Sequence, residues 1–207
     1  MTHMKYQPTR ARCGGIAAAI VLLCLDCPRA EAHLVTTGLG PVYDGIAHLA
    51  LSPADLAVVV VLVLLAAMRG PRQSRWLLAL LPTAWIVGGL GGLTFQITAS
   101  LDWATGLSLL LAGALVAADL NLPLPVVATL AAIIGGFNGF STGAALARTP
   151  HAALELLGIL VALIVIVTLI AGVVVPLKAF WMRIAVRVLG SWVAATGLLM
   201  IGWSLRA

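Results

Sequence analysis

Six long apolar stretches dominate this chain of 207 residues, and each is about as long as a helix that crosses a lipid bilayer. They cover residues 53–69, 76–97, 103–120, 124–147, 152–175 and 180–204. A spanning helix needs roughly 17–25 mostly apolar residues. Hydrophobic residues make up 62% of the chain and charged residues only 9%. We therefore expect an all-α fold, a polytopic membrane bundle with six transmembrane helices.

The N-terminus has the features of a secretory signal peptide. Three basic residues precede an apolar run: Lys5, Arg10, Arg12 and then residues 16–25. Small residues at Ala30 and Ala32 form a cleavage pattern. Cleavage after Ala32 would place His33 at the new N-terminus, where its α-amine and its imidazole can chelate one metal ion together.

The sequence thus divides into three predicted parts. Residues 1–32 form the signal peptide, residues 33–52 a periplasmic or re-entrant segment that captures metal, and residues 53–207 the six-helix transmembrane domain. All three cysteines lie in the first part, so the mature chain would carry neither a disulfide nor a thiolate metal site.

Basic residues between the apolar stretches predict the orientation in the membrane. They follow the first and the fifth stretch: Arg69, Arg72, Arg75, and Lys178, Arg183, Arg187. Such loops face the cytoplasm. Counting spans places the loop with Asp119 on the same side, and the mature N-terminus in the periplasm of a bacterium, with the chain in the inner membrane. The net charge of +5 is explained by these loops, so no nucleic-acid partner is expected.

Glycines recur every four residues in two of the stretches. Gly88 and Gly92 do so in the second stretch, and Gly135, Gly139 and Gly143 in the fourth. Small residues at this spacing let helix backbones approach closely in lipid. We predict that both helices pack against other helices through these faces.

Two carboxylate–imidazole pairs lie outside the basic loops. Asp44 and His48, and His151 and Glu155, are each four residues apart and share a helix face. A carboxylate can bind a metal directly or orient a ligating imidazole. The alternatives are an ordinary acid–base pair for the first, and a solvated cap of the fifth membrane helix for the second.

Three polar residues lie inside the fourth apolar stretch: Asn138, Ser141 and Thr142. Polar side chains in a membrane must find partners or face a water-filled path. They could line a translocation route or bond to neighbouring helices. Residues 139–143 also match the hydrolase pattern GxSxG, but that motif needs a strand–turn–helix context, so we do not expect an enzyme.

The stretch from His33 to His48, HLVTTGLGPVYDGIAH, and the following LALSPADL resemble the N-terminal signature of the HupE/UreJ family. This resemblance implies a small polytopic protein, encoded with hydrogenase or urease systems and concerned with nickel, sometimes cobalt, uptake. It also implies metal roles for His33, Asp44 and His48. A second family pattern, HGxxxG, has Asn138 here in place of its histidine, and an amide is a weaker ligand for these metals than imidazole.

The leading hypothesis is a nickel-type divalent-metal permease. His33, Asp44 and His48 would capture the ion, with help from His151 and Glu155, and the polar residues of the fourth stretch would line its path. Copper, cobalt and zinc are the other candidate metals. One alternative is a metal-binding or assembly factor that does not transport and serves a metalloenzyme partner. The other is a structural subunit of a membrane complex. Oligomeric state is not indicated by the sequence.

Overall fold

The structure is a computed structural model that describes residues 37–95, 102–176 and 180–206. The predicted signal peptide and His33 lie outside these residues. Within them the chain forms seven helices and no strand. The helices are α1 (Pro41–Leu51), α2 (Pro53–Ala67), α3 (Pro71–Phe95), α4 (Asp102–Ala118), α5 (Leu124–Leu146), α6 (Ala152–Val174) and α7 (Phe180–Ser204). The all-α prediction is therefore confirmed.

A sharp corner separates the first two helices, which meet at a bend of 74°. Ser52 lies at the corner with an extended backbone, φ −86 and ψ 95. A residue before proline is disfavoured in the helical region, so Pro53 stops α1 and begins α2 as its first residue. The predicted segment 33–52 is thus largely helical where it is described, and it meets the start of α2 at this corner.

Helix α2 forms the centre of the bundle. It contacts each of the other six described helices. From Val58 to Ala67 nearly every side chain is buried. A helix that is apolar on all sides is stable only when other elements surround it, and an uninterrupted run of valine and leucine has that property.

The glycine faces of α3 and α5 pack against each other, which confirms the predicted close approach. A Cβ atom at Gly139 would collide with the carbonyl oxygen of Trp85, and one at Gly143 with that of Gly89. In return, a Cβ atom at Gly88 would collide with the carbonyl oxygen of Gly136. The two backbones are therefore in contact over several turns.

A second glycine crossing joins α4 to α7. Gly106 approaches Gly197, and Gly113 approaches Gly190. A Cβ atom at Gly113 would lie 2.7 Å from the Gly190 carbonyl oxygen, so here too only glycine fits. These glycines are seven residues apart in each helix, which is two helical turns, and their crossing was not predicted from the sequence.

Within the described residues, four helices are long and apolar enough to cross a membrane: α3, α5, α6 and α7. The number of candidate spans rises to five if α1 and α2 together form one bent span. Helix α4, with 17 residues, falls short of the same length criterion. Many large apolar side chains of α6 and α7 are exposed, as lipid-facing residues are. The chain is therefore a multi-pass helical protein of membrane type, and length and composition support four or five spans rather than the expected six.

Three connections meet at one end of the bundle, which we call the basic end. The side chain of Asp119, between α4 and α5, accepts hydrogen bonds from Arg69 Nη2 at 3.1 Å and from Arg183 Nη2 at 2.8 Å. Gln73 Nε2 donates to the Leu122 carbonyl oxygen at 3.1 Å. The loop with Asp119 therefore lies on the same side as the two arginine-bearing segments, as the span count predicts.

Candidate functional site

The first candidate pair lies on α1. Gly40, with φ 113, turns the chain into the helix, and Pro41 takes the first helical position. Asp44 then falls in the first turn and His48 in the last. Asp44 is half-buried, whereas only 6% of His48 is exposed. The imidazole is thus part of the packed bundle and not a solvated surface group.

Asp44 holds the preceding segment against the start of α1. Its Oδ1 accepts hydrogen bonds from the backbone N of Thr37 at 2.5 Å and from the Thr37 hydroxyl at 2.6 Å. A negative charge in the first turn also interacts favourably with the helix dipole. In this arrangement the carboxylate fixes Thr37 against the first turn of α1.

Helix α1 packs on the first turns of α6 with almost no space between the backbones. A Cβ atom at Gly45 would collide with the carbonyl oxygen of Glu155, and one at Gly158 with that of Val42. Gly45 lies between Asp44 and His48 in the sequence, so this contact brings their helix turn beside the backbone of Glu155. The two candidate pairs, far apart in sequence, therefore share one end of the bundle, which we call the histidine end.

The second candidate pair is more open. His151 is exposed and occupies the N-cap position of α6, where its side chain makes no capping hydrogen bond. Glu155 is half-buried in the first turn of the same helix. A shallow pocket borders His151, Pro150 and Leu93, and neither Asp44 nor His48 lines it.

The donors share an end of the bundle without converging on one point. Among residues 37–95, 102–176 and 180–206, no three histidine, cysteine, aspartate or glutamate side chains lie close enough to hold one metal ion. The structure thus brings the backbones of α1 and α6 together, while Asp44, His48, His151 and Glu155 do not form a complete coordination sphere by themselves.

Two of the three polar residues of α5, Asn138 and Thr142, bond to their own helix. Asn138 is fully buried, and its Nδ2 donates to the Ile134 carbonyl oxygen at 2.7 Å. The Thr142 hydroxyl donates to the Asn138 carbonyl oxygen at 2.9 Å. Ser141 is half-buried in the middle of α5, which is not the strand–turn–helix setting of a hydrolase nucleophile.

Two buried polar atoms at the crossing of α3 and α5 lack partners within the described part of the chain. They are Asn138 Oδ1 and Trp85 Nε1. The residue after Asn138 is Gly139, which touches the Trp85 backbone. An unpaired polar atom in a buried setting is unfavourable by about 1–3 kcal/mol. Buried polar atoms without a partner are few in native proteins.

The ion-paired cluster of Asp119 with Arg69 and Arg183 was not predicted from the sequence. Its signal was available in part, because Asp119 is the single carboxylate in a loop expected to face two arginine-rich loops. The backbone of Asp119 adopts φ 52, a left-handed conformation that aspartate and asparagine tolerate better than most residues. That geometry turns the carboxylate towards both arginines.

Comparison with known proteins identifies a family. The family model described as HupE / UreJ protein matches residues 21–200. Neither a curated protein nor a solved structure gives a significant match. The matched region includes all of α1 to α6 and most of α7, together with both candidate pairs and the polar residues of α5. The chain belongs to the HupE/UreJ family.

Proposed function

We propose that this protein is a nickel-type divalent-metal permease of the bacterial inner membrane, with the histidine end in the periplasm. Family membership supports a role in metal supply. In this proposal the buried α2 and the shorter α4, which packs on α7 and α2, are also spans, which gives six spans after removal of the signal peptide. The family is one of accessory and transport proteins, and we assign no catalysis to this chain.

The observation that carries the proposal is the separation of charge between the two ends. Among the described side chains, the basic end has five arginines and one carboxylate: Arg69, Arg72, Arg75, Arg183, Arg187 and Asp119. The histidine end has three carboxylates and two imidazoles against two arginines: Asp44, Asp55, Glu155, His48, His151, Arg148 and Arg206. Basic segments stay in the cytoplasm, so the end that attracts cations faces outward.

Capture would begin at His33, Asp44 and His48. Neutral imidazole suits nickel, copper, cobalt and zinc, and a carboxylate adds charge. His33 would complete the coordination sphere that the described donors leave open, through its imidazole and, after cleavage, its α-amine. His151 and Glu155 would assist from the adjoining start of α6.

The ion would then pass along α5, beside Asn138, Ser141 and Thr142. The unpaired Oδ1 of Asn138 supports this route, because it offers a buried acceptor to a cation. Inward movement of a dication is favoured by the membrane potential, at roughly 2.3 kcal/mol per charge per 100 mV. Transport therefore requires no nucleotide hydrolysis.

A second candidate function is a membrane metal-binding or assembly factor that does not transport. The close backbone contact of α3 with α5 favours it, because Asn138 is fully enclosed there. Such a factor would hold metal at the same histidine end for a metalloenzyme partner.

Nickel uptake into proteoliposomes distinguishes the two functions. With an inside-negative potential, we expect the wild-type chain to accumulate Ni²⁺. Asn138→Leu should slow uptake by about tenfold, because the cation would lose the buried amide oxygen that offers it a lone pair. Thr168→Val is the matched control: it removes an exposed hydroxyl of α6 that bonds only within its helix, and it should leave uptake unchanged.

One result would contradict the permease itself, and another would contradict the proposed route. One is wild-type protein that binds Ni²⁺ but does not accumulate it, which would favour the assembly factor. The other is Asn138→Leu protein with full uptake, which would remove α5 from the route.

A further inference from the structure

A cavity opens at the basic end, between the ends of α2 and α6 and the start of α7. Its volume is about 280 Å³, many times the roughly 30 Å³ share of one water molecule. The wall is mostly apolar and includes Met68, Val174, Val175, Met182 and Val186. Arg183 is its one charged lining residue among those described. The cavity thus combines an apolar wall with one guanidinium group.

Arg183 retains the capacity to bind an anion. Its Nη2 donates to Asp119 Oδ2 at 2.8 Å, and the side chain is 55% exposed. A guanidinium has five N–H donors in all, so one bond to a carboxylate leaves donors for a second acid. Asp119 also neutralises Arg69, whose side chain is only 6% exposed. Arg69 and Arg183 therefore share the one negative charge of Asp119. The positive charge that remains is available at Arg183, the more exposed of the two arginines.

Surrounding residues place this cavity where lipid headgroups would lie. Trp181, next in sequence to the lining residue Met182, is a highly exposed aromatic at the start of α7. Tryptophan at a helix end is typical of the membrane interface. The remaining arginines of the basic end add to the attraction for anions, and basic pockets between membrane helices on the cytoplasmic side bind acidic headgroups.

We propose that this cavity binds one anionic phospholipid, with its phosphate on Arg183 and the upper part of an acyl chain against Met182 and Val186. The apolar wall selects a lipid over a free phosphate, and the guanidinium selects an acidic over a zwitterionic headgroup. This site lies at the opposite end from the metal-capture residues and does not depend on the proposed transport function.

Native mass spectrometry of the purified full-length chain tests the proposal. The protein in detergent is offered dioleoyl phosphatidylglycerol or dioleoyl phosphatidylcholine, which have the same acyl chains and differ in headgroup charge. We expect one phosphatidylglycerol to be retained in preference to phosphatidylcholine. Arg183→Gln should weaken that retention by about fivefold, the effect of one interfacial basic residue. Asp119 would keep its bond to Arg69 in this variant, so the fold should persist.

A second variant and a matched control complete the experiment. Val175→Trp should fill the cavity and reduce retention while leaving Arg183 in place. Arg148→Gln removes an exposed arginine at the other end and should have no effect. Equal retention of both lipids, an Arg148→Gln effect as large as that of Arg183→Gln, or displacement of the lipid by millimolar inorganic phosphate would overturn the proposal.

Discussion

Gly139→Ala should lower the stability of the folded bundle, although the same substitution inside a helix usually stabilises it by about 1 kcal/mol. The added methyl group would collide with the carbonyl oxygen of Trp85, a backbone atom that cannot turn aside. Helices α3 and α5 would have to separate along their whole crossing. Overpacking of this kind costs about 1–3 kcal/mol, so the sign of the usual effect is reversed.

The measurement is the unfolding midpoint in detergent micelles, by heat or by titration with a denaturing detergent. Gly172→Ala in α6 is the matched control, because a Cβ atom at that position has nothing within 4 Å. It should leave the midpoint unchanged or raise it. If both variants shift the midpoint in the same direction by the same amount, the claim that α3 and α5 are in backbone contact at Gly139 is wrong.

Asp119→Asn should destabilise the protein by roughly 3 kcal/mol, because it leaves the charge of Arg69 buried without a counter-charge. The side chain of Arg69 is 6% exposed, and its Nε atom has no partner within the described residues. Asparagine tolerates the left-handed backbone of this position as well as aspartate does. The substitution therefore isolates the loss of charge from any backbone effect.

Two further variants separate this explanation from a simple loss of hydrogen bonds. Arg183→Gln removes the exposed partner and should cost no more than about 1 kcal/mol. The double variant Asp119→Asn with Arg69→Met should recover much of the stability, since no buried charge remains. If the loss of stability in the double variant equals the sum of the losses caused by Asp119→Asn alone and Arg69→Met alone, the buried charge is not the cause.

Much of the fold follows from the sequence because lipid imposes simple rules. Apolar length predicted the helices, and the glycine spacing in α3 and α5 predicted their close packing. The corner at Ser52 and Pro53 was harder to predict from the sequence. Proline indicates where one helix ends and the next begins, but the 74° bend depends on how α1 packs against α6. The crossing of α4 with α7 was missed because its glycines are spaced by two turns and not one.

The sequence could predict which residues belong to the candidate site, but it could not predict how they are arranged in space. The spacing of Asp44 and His48 predicts a shared helix face. It cannot show that Gly45, between them, lets the backbone of α1 contact the backbone of Glu155 in α6. Similarly, the polar residues of α5 were assigned either to a path or to neighbouring helices. The bonds of Asn138 and Thr142 are to their own helix, because such side chains can reach the carbonyl oxygen four residues earlier.

The central claim, capture of a transition-metal ion at the histidine end, is tested most directly by titrating the purified, metal-free chain with Ni²⁺ in a calorimeter. We expect saturable binding by the wild type, and binding by His48→Ala that is at least about tenfold weaker. His48→Gln, which better preserves side-chain volume, should show the same loss and thereby exclude a packing defect. His151→Ala, at an exposed position, should have a smaller effect. Nickel binding by both His48 variants with wild-type affinity would contradict the account.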